Sequence, residues 1–281
     1  MTEIGNTGIE RLRCVFRATR ADGRAALMPY LTAGYPDLSQ LPALLEALWA
    51  GGADAVELGI PFSDPLADGP ALQGAATAAL AAGFALDPFW AVLESALAQY
   101  PLPVVLLTYV NPVLAFGARR FVERAAAAGA AGLIVPDLPW AEAGGLRRLS
   151  RAQGVALVPM ATPNSPAEHL ARIRSGEGFV YGVSVTGVTG ARAALPADVL
   201  GFAARLQEAS ALPVAIGFGI STPEQAAHVA QVADGVIVGS ALVAALMKSP
   251  DRAAAVAERL VRDLHAGLDA VPRTRHERST T

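Results

Sequence analysis

Short apolar runs recur along the chain, and the segments between them space their apolar residues by three and four. The runs are rich in Val, Ile and Leu, which is typical of buried strands. Intervening segments such as LPALLEALWAGG, ARRFVERAAAAGA and PEQAAHVAQVA place Leu, Ala and Val on one stripe, as amphipathic helices do. The eight predicted strands cover residues 25–32, 55–60, 103–109, 132–137, 155–160, 179–184, 213–219 and 235–240.

Glycine often follows the predicted helices. The segments GGADAV, AAGAAGL and AQGVAL are typical of a helix, a left-handed cap and a strand in succession. Eight strand–helix units in about 250 residues predict a closed (β/α)8 TIM barrel, an α/β fold, because near-continuous apolar strands need cover on both faces. The alternative is a doubly wound open sheet. That fold would normally carry G-x-G-x-x-G after its first strand, whereas TAGYPD follows here.

The predicted barrel is a single domain spanning residues 1–270. The segment IERLRCVFRAT, which precedes the first strand, predicts an extra N-terminal helix that covers the barrel floor. Residues 271–281, VPRTRHERSTT, are polar and predict a disordered tail. No linker composition or longer repeat interrupts the βα pattern.

Composition narrows the classes of function. With 281 residues and 53% hydrophobic content, the chain can bury a large core. No membrane-spanning run or signal peptide is evident, so we expect a cytoplasmic protein without a membrane partner. Cys14 is the only cysteine, which excludes an intrachain disulfide and a thiolate metal cluster. The net charge of −3, with no basic stretch, argues against a nucleic-acid partner.

The active site of such a barrel lies at the C-terminal ends of its strands. No lysine or histidine is found there: the one lysine, Lys248, follows the last strand, and all four histidines fall in predicted helices or the tail. This excludes a Schiff-base or pyridoxal phosphate (PLP) enzyme and argues against a metal site. The strand-end residues that could do chemistry are Tyr30, Thr32, Glu57, Tyr109, Asn111, Asp137, Tyr181, Gly219, Gly239 and Ser240.

Glu57 lies in an apolar strand between Val56 and Leu58. If those two residues face the outer helices, strand alternation directs Glu57 into the barrel, where burial raises its pKa and suits it to proton transfer. The alternative is a structural ion pair, but no predicted strand contains an arginine. Asp68 follows eleven residues later, in a loop rich in Pro, Asp and Gly. It is either a second candidate acid or part of an ordinary Asp-Gly turn.

The last two strands lead into GFGIST and GSAL. Glycines there expose backbone N–H groups at the start of a helix, so Gly219, Gly239 and Ser240 predict a phosphate site, although each loop alone is compatible with a simple turn. Thr222 and Pro223 predict the N-cap and first position of the next helix. No Walker motif is present, which favours a small phosphorylated molecule over a nucleotide. Residues 185–196, VTGVTGARAALP, predict either a mobile lid or a plain connector.

The segment ELGIPFSDPLADGP resembles the signature of the tryptophan synthase α-subunit family. The blocks PYLTAGYPD, LLTYVNP, VPDLP, SVTGVTGAR, IGFGIS and VGSA are similar to that family's other blocks, in the same order. The resemblance implies a lyase of tryptophan biosynthesis that cleaves indole-3-glycerol phosphate into indole and glyceraldehyde 3-phosphate. It implies that Glu57 delivers a proton to indole C3 and that Asp68 accepts the indole N–H.

The resemblance also implies further site residues. Tyr181 matches a tyrosine near the glutamate, and Thr189 matches a threonine of the mobile loop. The matches to the indole end of the pocket are Tyr30, Leu107, Tyr109 and Asp137, and the matches to the phosphate site are Gly190, Gly219, Gly239 and Ser240. Relative to the enteric version of the family, Tyr30 stands in place of phenylalanine and Thr108 in place of methionine, and the mobile loop has no arginine two residues before its first glycine, Gly187.

Family resemblance implies an α2β2 heterotetramer in which indole passes through a tunnel to the β subunit. PLP would belong to that β subunit, with no cofactor and no metal in this chain. The loop of residues 61–70 and the rim around Asn111 would form the contact surface. Two alternatives remain: a free-standing indole-3-glycerol phosphate lyase, and a regulatory subunit that binds a phosphorylated ligand without catalysis. Indole-3-glycerol phosphate synthase would be expected to carry a strand-end lysine.

Overall fold

A curved sheet of parallel strands forms the centre of the molecule. The computed structural model describes residues 7–183, 198–217 and 219–270. Neighbours in the sheet follow the order β5-β4-β3-β2-β1-β9-β8-β7-β6, and each of the eight predicted strands contains at least one observed strand. The strands are β1 Ala26–Thr32, β2 Val56–Gly59, β3 Val104–Leu107, β4 Gly132–Ile134, β5 Ala156–Leu157, β6 Met160–Ala161, β7 Val180–Val183, β8 Val214–Gly217 and β9 Gly235–Val238.

The fifth predicted strand differs from expectation because it is divided into β5 and β6. Its first part bonds to β4, with the Val158 N–H donating to the Leu133 carbonyl at 2.9 Å. Its second part bonds to β7, with the Tyr181 N–H donating to the Pro159 carbonyl at 2.9 Å. Proline has no N–H to donate, so it suits the point where the strand changes partner. The two ends of the sheet are therefore joined through the chain itself, which closes the barrel.

Helices surround the sheet, and several connections contain two of them. The helices are α1 Gly8–Ala21, α2 Leu41–Ala50, α3 Pro70–Ala81, α4 Leu86–Leu97, α5 Val110–Phe116, α6 Ala118–Ala127, α7 Gly144–Ala152, α8 Ala167–Ile173, α9 Val199–Ala209, α10 Pro223–Ala230, α11 Ser240–Lys248 and α12 Ala253–Asp269. The predicted left-handed glycines after helices are confirmed at Gly52, Gly129 and Gly154, where φ is 94°, 85° and 69°. Thr222 caps α10 as predicted, accepting from the Gln225 N–H, with Pro223 at the start of the helix.

Buried apolar side chains form two layers, as the alternation along parallel strands requires. Val56 and Leu58 belong to the outer layer, between the sheet and the helices. The inner layer fills the barrel, and α1 closes its floor with Leu12 and Phe16. The Phe16 ring lies 5.5 Å from that of Phe179. The predicted N-terminal helix over the floor is thus confirmed.

Carboxylates at the floor of the barrel are matched by arginines. Arg24 donates to both oxygens of Asp54 at 2.7 Å, and the same carboxylate accepts from the Leu27 N–H at 2.8 Å. Asp234 accepts from Arg20 at 3.1 Å and from the Val214 N–H at 2.9 Å. Both carboxylates therefore have a cationic partner and a backbone N–H donor.

In the described part of the chain, no single helix is long and apolar enough to cross a membrane. Helices α3 and α4 pass that test only as a pair bent by 110°, on length and composition alone.

Candidate active site

Glu57 is the one charged residue on β2, and it points into the barrel. Its neighbours Val56 and Leu58 face outward, and its own exposed fraction is 2%. In the strand register it lies beside Tyr30 of β1 and Val105 of β3. The hydroxyl of Tyr181, from β7 across the barrel, donates to Glu57 Oε2 at 3.5 Å, a long hydrogen bond. The orientation predicted from strand alternation is observed.

Asp68 reaches the same site from the loop between β2 and α3, and 8% of its surface is exposed. Its N–H donates to the Pro65 carbonyl at 3.0 Å, and its carbonyl accepts from Gln73 of α3 at 2.9 Å. The hydroxyl of Tyr109 accepts from the Ala67 N–H at 3.0 Å and also hydrogen-bonds the Asp68 carboxyl. These contacts hold the second acid over the barrel mouth.

Burial raises the pKa of both acids. The pKa of Glu57 rises from 4.5 to about 8, mainly because burial penalises its charged form, and further because of the nearby Asp68 charge; the Tyr181 hydrogen bond opposes the rise. The pKa of Asp68 rises from 3.8 to about 6 because of burial, while the Tyr109 hydrogen bond opposes it. Near neutral pH, Glu57 is therefore mainly protonated and Asp68 mainly ionised.

Neither acid has a cationic partner among the described residues. The ion pairs of that part of the chain join other residues. Glu57 hydrogen-bonds the hydroxyl of Tyr181, and Asp68 hydrogen-bonds the hydroxyl of Tyr109. Burial next to the acids also raises the pKa of the tyrosines Tyr30, Tyr109 and Tyr181. Within the described ranges, no group of three or more His, Cys, Asp or Glu side chains could hold a metal ion.

Two strand glycines make room for two of these tyrosines. A Cβ atom added at Gly59 would lie 2.0 Å from the Tyr30 hydroxyl, and one added at Gly217 would lie 2.5 Å from the Tyr181 hydroxyl. No real Cβ could occupy either position, so both hydroxyls lie directly over backbone. Neither Gly59 nor Gly217 is among the site residues predicted from the sequence. The available signal was a glycine inside a buried strand, which often marks a close approach of another group.

The loops after β8 and β9 provide backbone N–H groups at the other end of the site. Gly219 has a φ of 85°, and no atom lies within 4 Å of a Cβ built on it. Gly239 precedes α11, whose first N–H groups have no partner within the helix. A Cβ built on Gly239 would lie 3.5 Å from the Cβ of Tyr30, so this loop adjoins the wall that leads to Glu57. Free backbone N–H groups at the start of a helix are suited to an anionic group.

Most of the predicted site residues that are described come together at the barrel mouth. Leu107 ends β3 in the inner layer, and Tyr109 begins the connection to α5. Asp137 has a different environment: it is exposed at the rim, and its Oδ1 accepts from the Val110 N–H at 2.8 Å. Thr189 and Gly190, with the rest of the predicted lid, lie outside the described residues.

The arrangement can perform acid–base chemistry without a metal. It brings a mainly protonated acid, Glu57, and a mainly ionised acid, Asp68, close together, each hydrogen-bonded to a tyrosine hydroxyl. Two carboxyl groups with separated pKa values are suited to donating a proton at one atom and stabilising positive charge at another.

Comparison with known proteins identifies relatives over nearly the whole chain. The family model for the tryptophan synthase alpha chain matches residues 16–270. The tryptophan synthase alpha chain of Synechococcus sp. (strain CC9902) is 50% identical over 230 residues, which cover 81% of this chain and 86% of the relative. A Mycobacterium tuberculosis tryptophan synthase structure matches with a TM-score of 0.85 and 40% identity, covering 92% of this chain and 98% of that one. A tryptophan synthase complex from Pyrococcus furiosus matches with a TM-score of 0.81 and 36% identity, covering 87% and 99%.

Proposed function

The chain belongs to the tryptophan synthase alpha chain family, and from that premise we propose that Glu57 and Asp68 carry the proton chemistry of its reaction. Members of this family cleave indole-3-glycerol phosphate in tryptophan biosynthesis, and this chain is an enzyme of that kind. The observation that supports the assignment most directly is the pair of buried acids with pKa values of about 8 and about 6. Around neutral pH the two acids are in opposite protonation states, as the reaction requires.

The reaction breaks the bond between indole C3 and the first carbon of the glycerol chain. Glu57 donates its proton to C3, which makes the ring an electron sink. Asp68 accepts the indole N–H and stabilises the positive charge that develops there, and its burial strengthens this interaction. The electrons of the breaking bond restore the aromatic ring, and the neighbouring C–OH becomes the aldehyde of glyceraldehyde 3-phosphate. The proton of that hydroxyl returns to Glu57, so the acid ends the cycle as it began.

Tyr181, whose hydroxyl lies over Gly217, positions Glu57. The Tyr181 hydroxyl donates to Oε2 at 3.5 Å, which leaves the other oxygen of Glu57 for substrate. The predicted contacts of Tyr30, Leu107 and Tyr109 with the indole ring are supported by their burial beside the acids. The substrate phosphate would bind Gly219, Gly239 and Ser240, together with Gly190 of the predicted lid, where Thr189 would meet Asp68 on closure.

We assign the β subunit of tryptophan synthase as the partner, in an α2β2 assembly that passes indole between active sites. Two large apolar side chains support this: Leu66 is 89% exposed and Leu114 is 63% exposed. Leu66 lies in the same loop as Asp68, and Leu114 lies on α5, so both adjoin the mouth from which indole leaves. PLP would belong to the β subunit, because Lys248, the only lysine of this chain, is the last residue of α11 and does not lie at a strand end.

The test is the steady-state cleavage of indole-3-glycerol phosphate by purified Glu57→Gln. Glutamine keeps the size of the side chain but has no proton to transfer, so we expect nearly all lyase activity to disappear while the affinity for a phosphate ligand stays within several-fold. Glu177→Gln is the matched control, because Glu177 is also buried but pairs with Arg151, away from the acid pair. Near-normal turnover by Glu57→Gln would refute the assignment.

Adding the β subunit separates the alternatives. In the assembly that we propose, the β subunit stimulates cleavage by the wild-type chain. A free-standing lyase would show full activity alone and no response to the β subunit. A catalytically silent regulatory subunit would bind the phosphate ligand and show no turnover in either condition.

A further inference from the structure

The N-terminus of α5 takes its cap from another part of the chain. Tyr109 occupies the N-cap position, but its side chain makes no capping hydrogen bond. The first N–H groups of a helix need acceptors from outside the helix. Asp137, which follows β4, supplies one: its Oδ1 accepts from the Val110 N–H at 2.8 Å. The backbone on either side of the Tyr109 side chain is thereby tied to the neighbouring strand end, since the Thr108 N–H also donates to the Ile134 carbonyl at 3.1 Å.

Tyr109 in turn holds the loop that carries Asp68. Its ring packs against that of Phe62, with 5.4 Å between the ring centroids. Its hydroxyl accepts from the Ala67 N–H at 3.0 Å and hydrogen-bonds the Asp68 carboxyl itself. Both ends of the loop therefore contact one tyrosine. A small displacement of Tyr109 would move Asp68 and weaken a hydrogen bond that favours its ionised form.

We propose that Asp137 is a positioning residue for Asp68: by capping α5 it fixes Tyr109, and Tyr109 fixes the loop and the carboxyl group of Asp68. This differs from a direct contact between Asp137 and the indole ring, because the side chain is exposed at the rim and its carboxylate is used on backbone. The inference rests on the proposed function, in which Asp68 must be ionised when substrate binds.

A pH profile reports on this role because Asp68 has few titratable neighbours. The groups that face it are Glu57 from β2, Tyr30 from β1, Tyr181 from β7 and Tyr109 itself. The tyrosines stay protonated throughout the working range, since burial raises their pKa values. A shift of the acid limb of kcat/KM against pH therefore reports on Asp68, while the alkaline limb reports on Glu57.

The experiment compares Asp137→Ala with Asp137→Asn. Asparagine caps helices about as well as aspartate, whereas alanine does not. We expect Asp137→Ala to lower kcat/KM roughly threefold to tenfold, mainly through kcat, and to move the acid limb to higher pH. Asp137→Asn should restore both. Thr7→Ala is the control for loss of a cap elsewhere, because Thr7 caps α1 at the barrel floor; it should leave the profile unchanged.

A double-mutant cycle tests whether Asp137 acts through Tyr109. If it does, adding Asp137→Ala to Tyr109→Phe should cost much less than it costs in the wild-type chain. The inference is overturned if the Asp137→Ala profile equals that of the wild type, if Asp137→Asn is as damaging as Asp137→Ala, or if the two substitutions are additive. Failure of the proposed function is a separate result, namely lyase activity that survives Glu57→Gln.

Discussion

Replacing Glu57 by glutamine should abolish activity and, at alkaline pH, stabilise the fold. The pKa of Glu57 is raised from 4.5 to about 8 by burial and by the Asp68 charge. Each pKa unit corresponds to about 1.4 kcal/mol, so ionising this side chain in the folded state costs about 5 kcal/mol more than in the unfolded state. The Glu57→Gln variant does not bear this cost at any pH.

The pH dependence has a definite sign. A raised folded-state pKa means that the native protein holds the proton more tightly, so the stability that Glu57 contributes is fully present below pH 4.5. It is lost as the pH rises through about 8. Between pH 6 and pH 9 the wild-type chain should therefore lose about 3 kcal/mol relative to Glu57→Gln.

Asp68→Asn provides an internal control, because its stability should change over a different range of pH. The pKa of Asp68 rises from 3.8 only to about 6. The stability that Asp68→Asn gains relative to the wild type should therefore develop between about pH 4 and pH 6. From pH 6 to pH 9 it should change by less than about 1 kcal/mol.

The assay is urea denaturation followed by circular dichroism at half-unit steps of pH, with the free energy of unfolding extrapolated to water. For each variant, the difference in the free energy of unfolding from the wild type is plotted against pH. The curve for Glu57→Gln should level off about two pH units above the curve for Asp68→Asn. Parallel stability curves for the wild type and Glu57→Gln between pH 6 and pH 9 would refute the claim that a raised pKa of Glu57 opposes folding.

Three further predictions concern turnover. The kcat/KM of the wild type should fall about tenfold per pH unit below about pH 6, where Asp68 gains a proton, and above about pH 8, where Glu57 loses one; a flat profile from pH 5 to pH 9 would contradict this. Gly217→Ala should lower kcat, because its Cβ would lie 2.5 Å from the Tyr181 hydroxyl and displace it. Adding Tyr181→Phe should then lower kcat no further, and a large additional loss would argue against displacement as the cause. Gly219→Val should chiefly raise KM and weaken inhibition by inorganic phosphate, because the residue has a φ of 85° at the proposed phosphate site; a loss confined to kcat would exclude that role.

The barrel could be predicted from the sequence because parallel strands covered on both faces leave a strong periodic signal. Strand alternation predicted an inward Glu57 on the condition that Val56 and Leu58 face the outer helices, as they do. The division of the fifth strand was not predicted, since VALVPM is a continuous apolar run and only the pairing of its two halves with different neighbours reveals the break at Pro159. The second helices after β2 and β3 also went unrecognised, because their short apolar stripes resemble those of single crossover helices.

The site was less predictable because its loops depend on contacts between residues far apart in sequence. Spacing alone left Asp68 as either an acid or a turn residue; its burial depends on Tyr109, 41 residues further along the chain, and on Gln73. For Asp137, the resemblance predicted a place at the indole end, and only the structure reveals its bond to the Val110 N–H. The predicted contacts with substrate, including those of Thr189 and Gly190, stay predictions.

The break between β5 and β6 affects how the strands of one half of the barrel are positioned, along the strand direction, relative to those of the other half. Glu57 belongs to the strands that lead from β5 to β1, and Tyr181 to those that lead from β9 to β6. Pro159 joins these halves, and its carbonyl accepts the N–H of Tyr181 itself. One residue inserted here would offset β6, and the register of β7 that pairs with it, by about 3.3 Å along the strand relative to β5. If β7 moved by that amount, the hydrogen bond between Tyr181 and Glu57, which is already 3.5 Å long, would break. The number of residues between β5 and β7 therefore helps to set the position of the Tyr181 hydroxyl relative to Glu57.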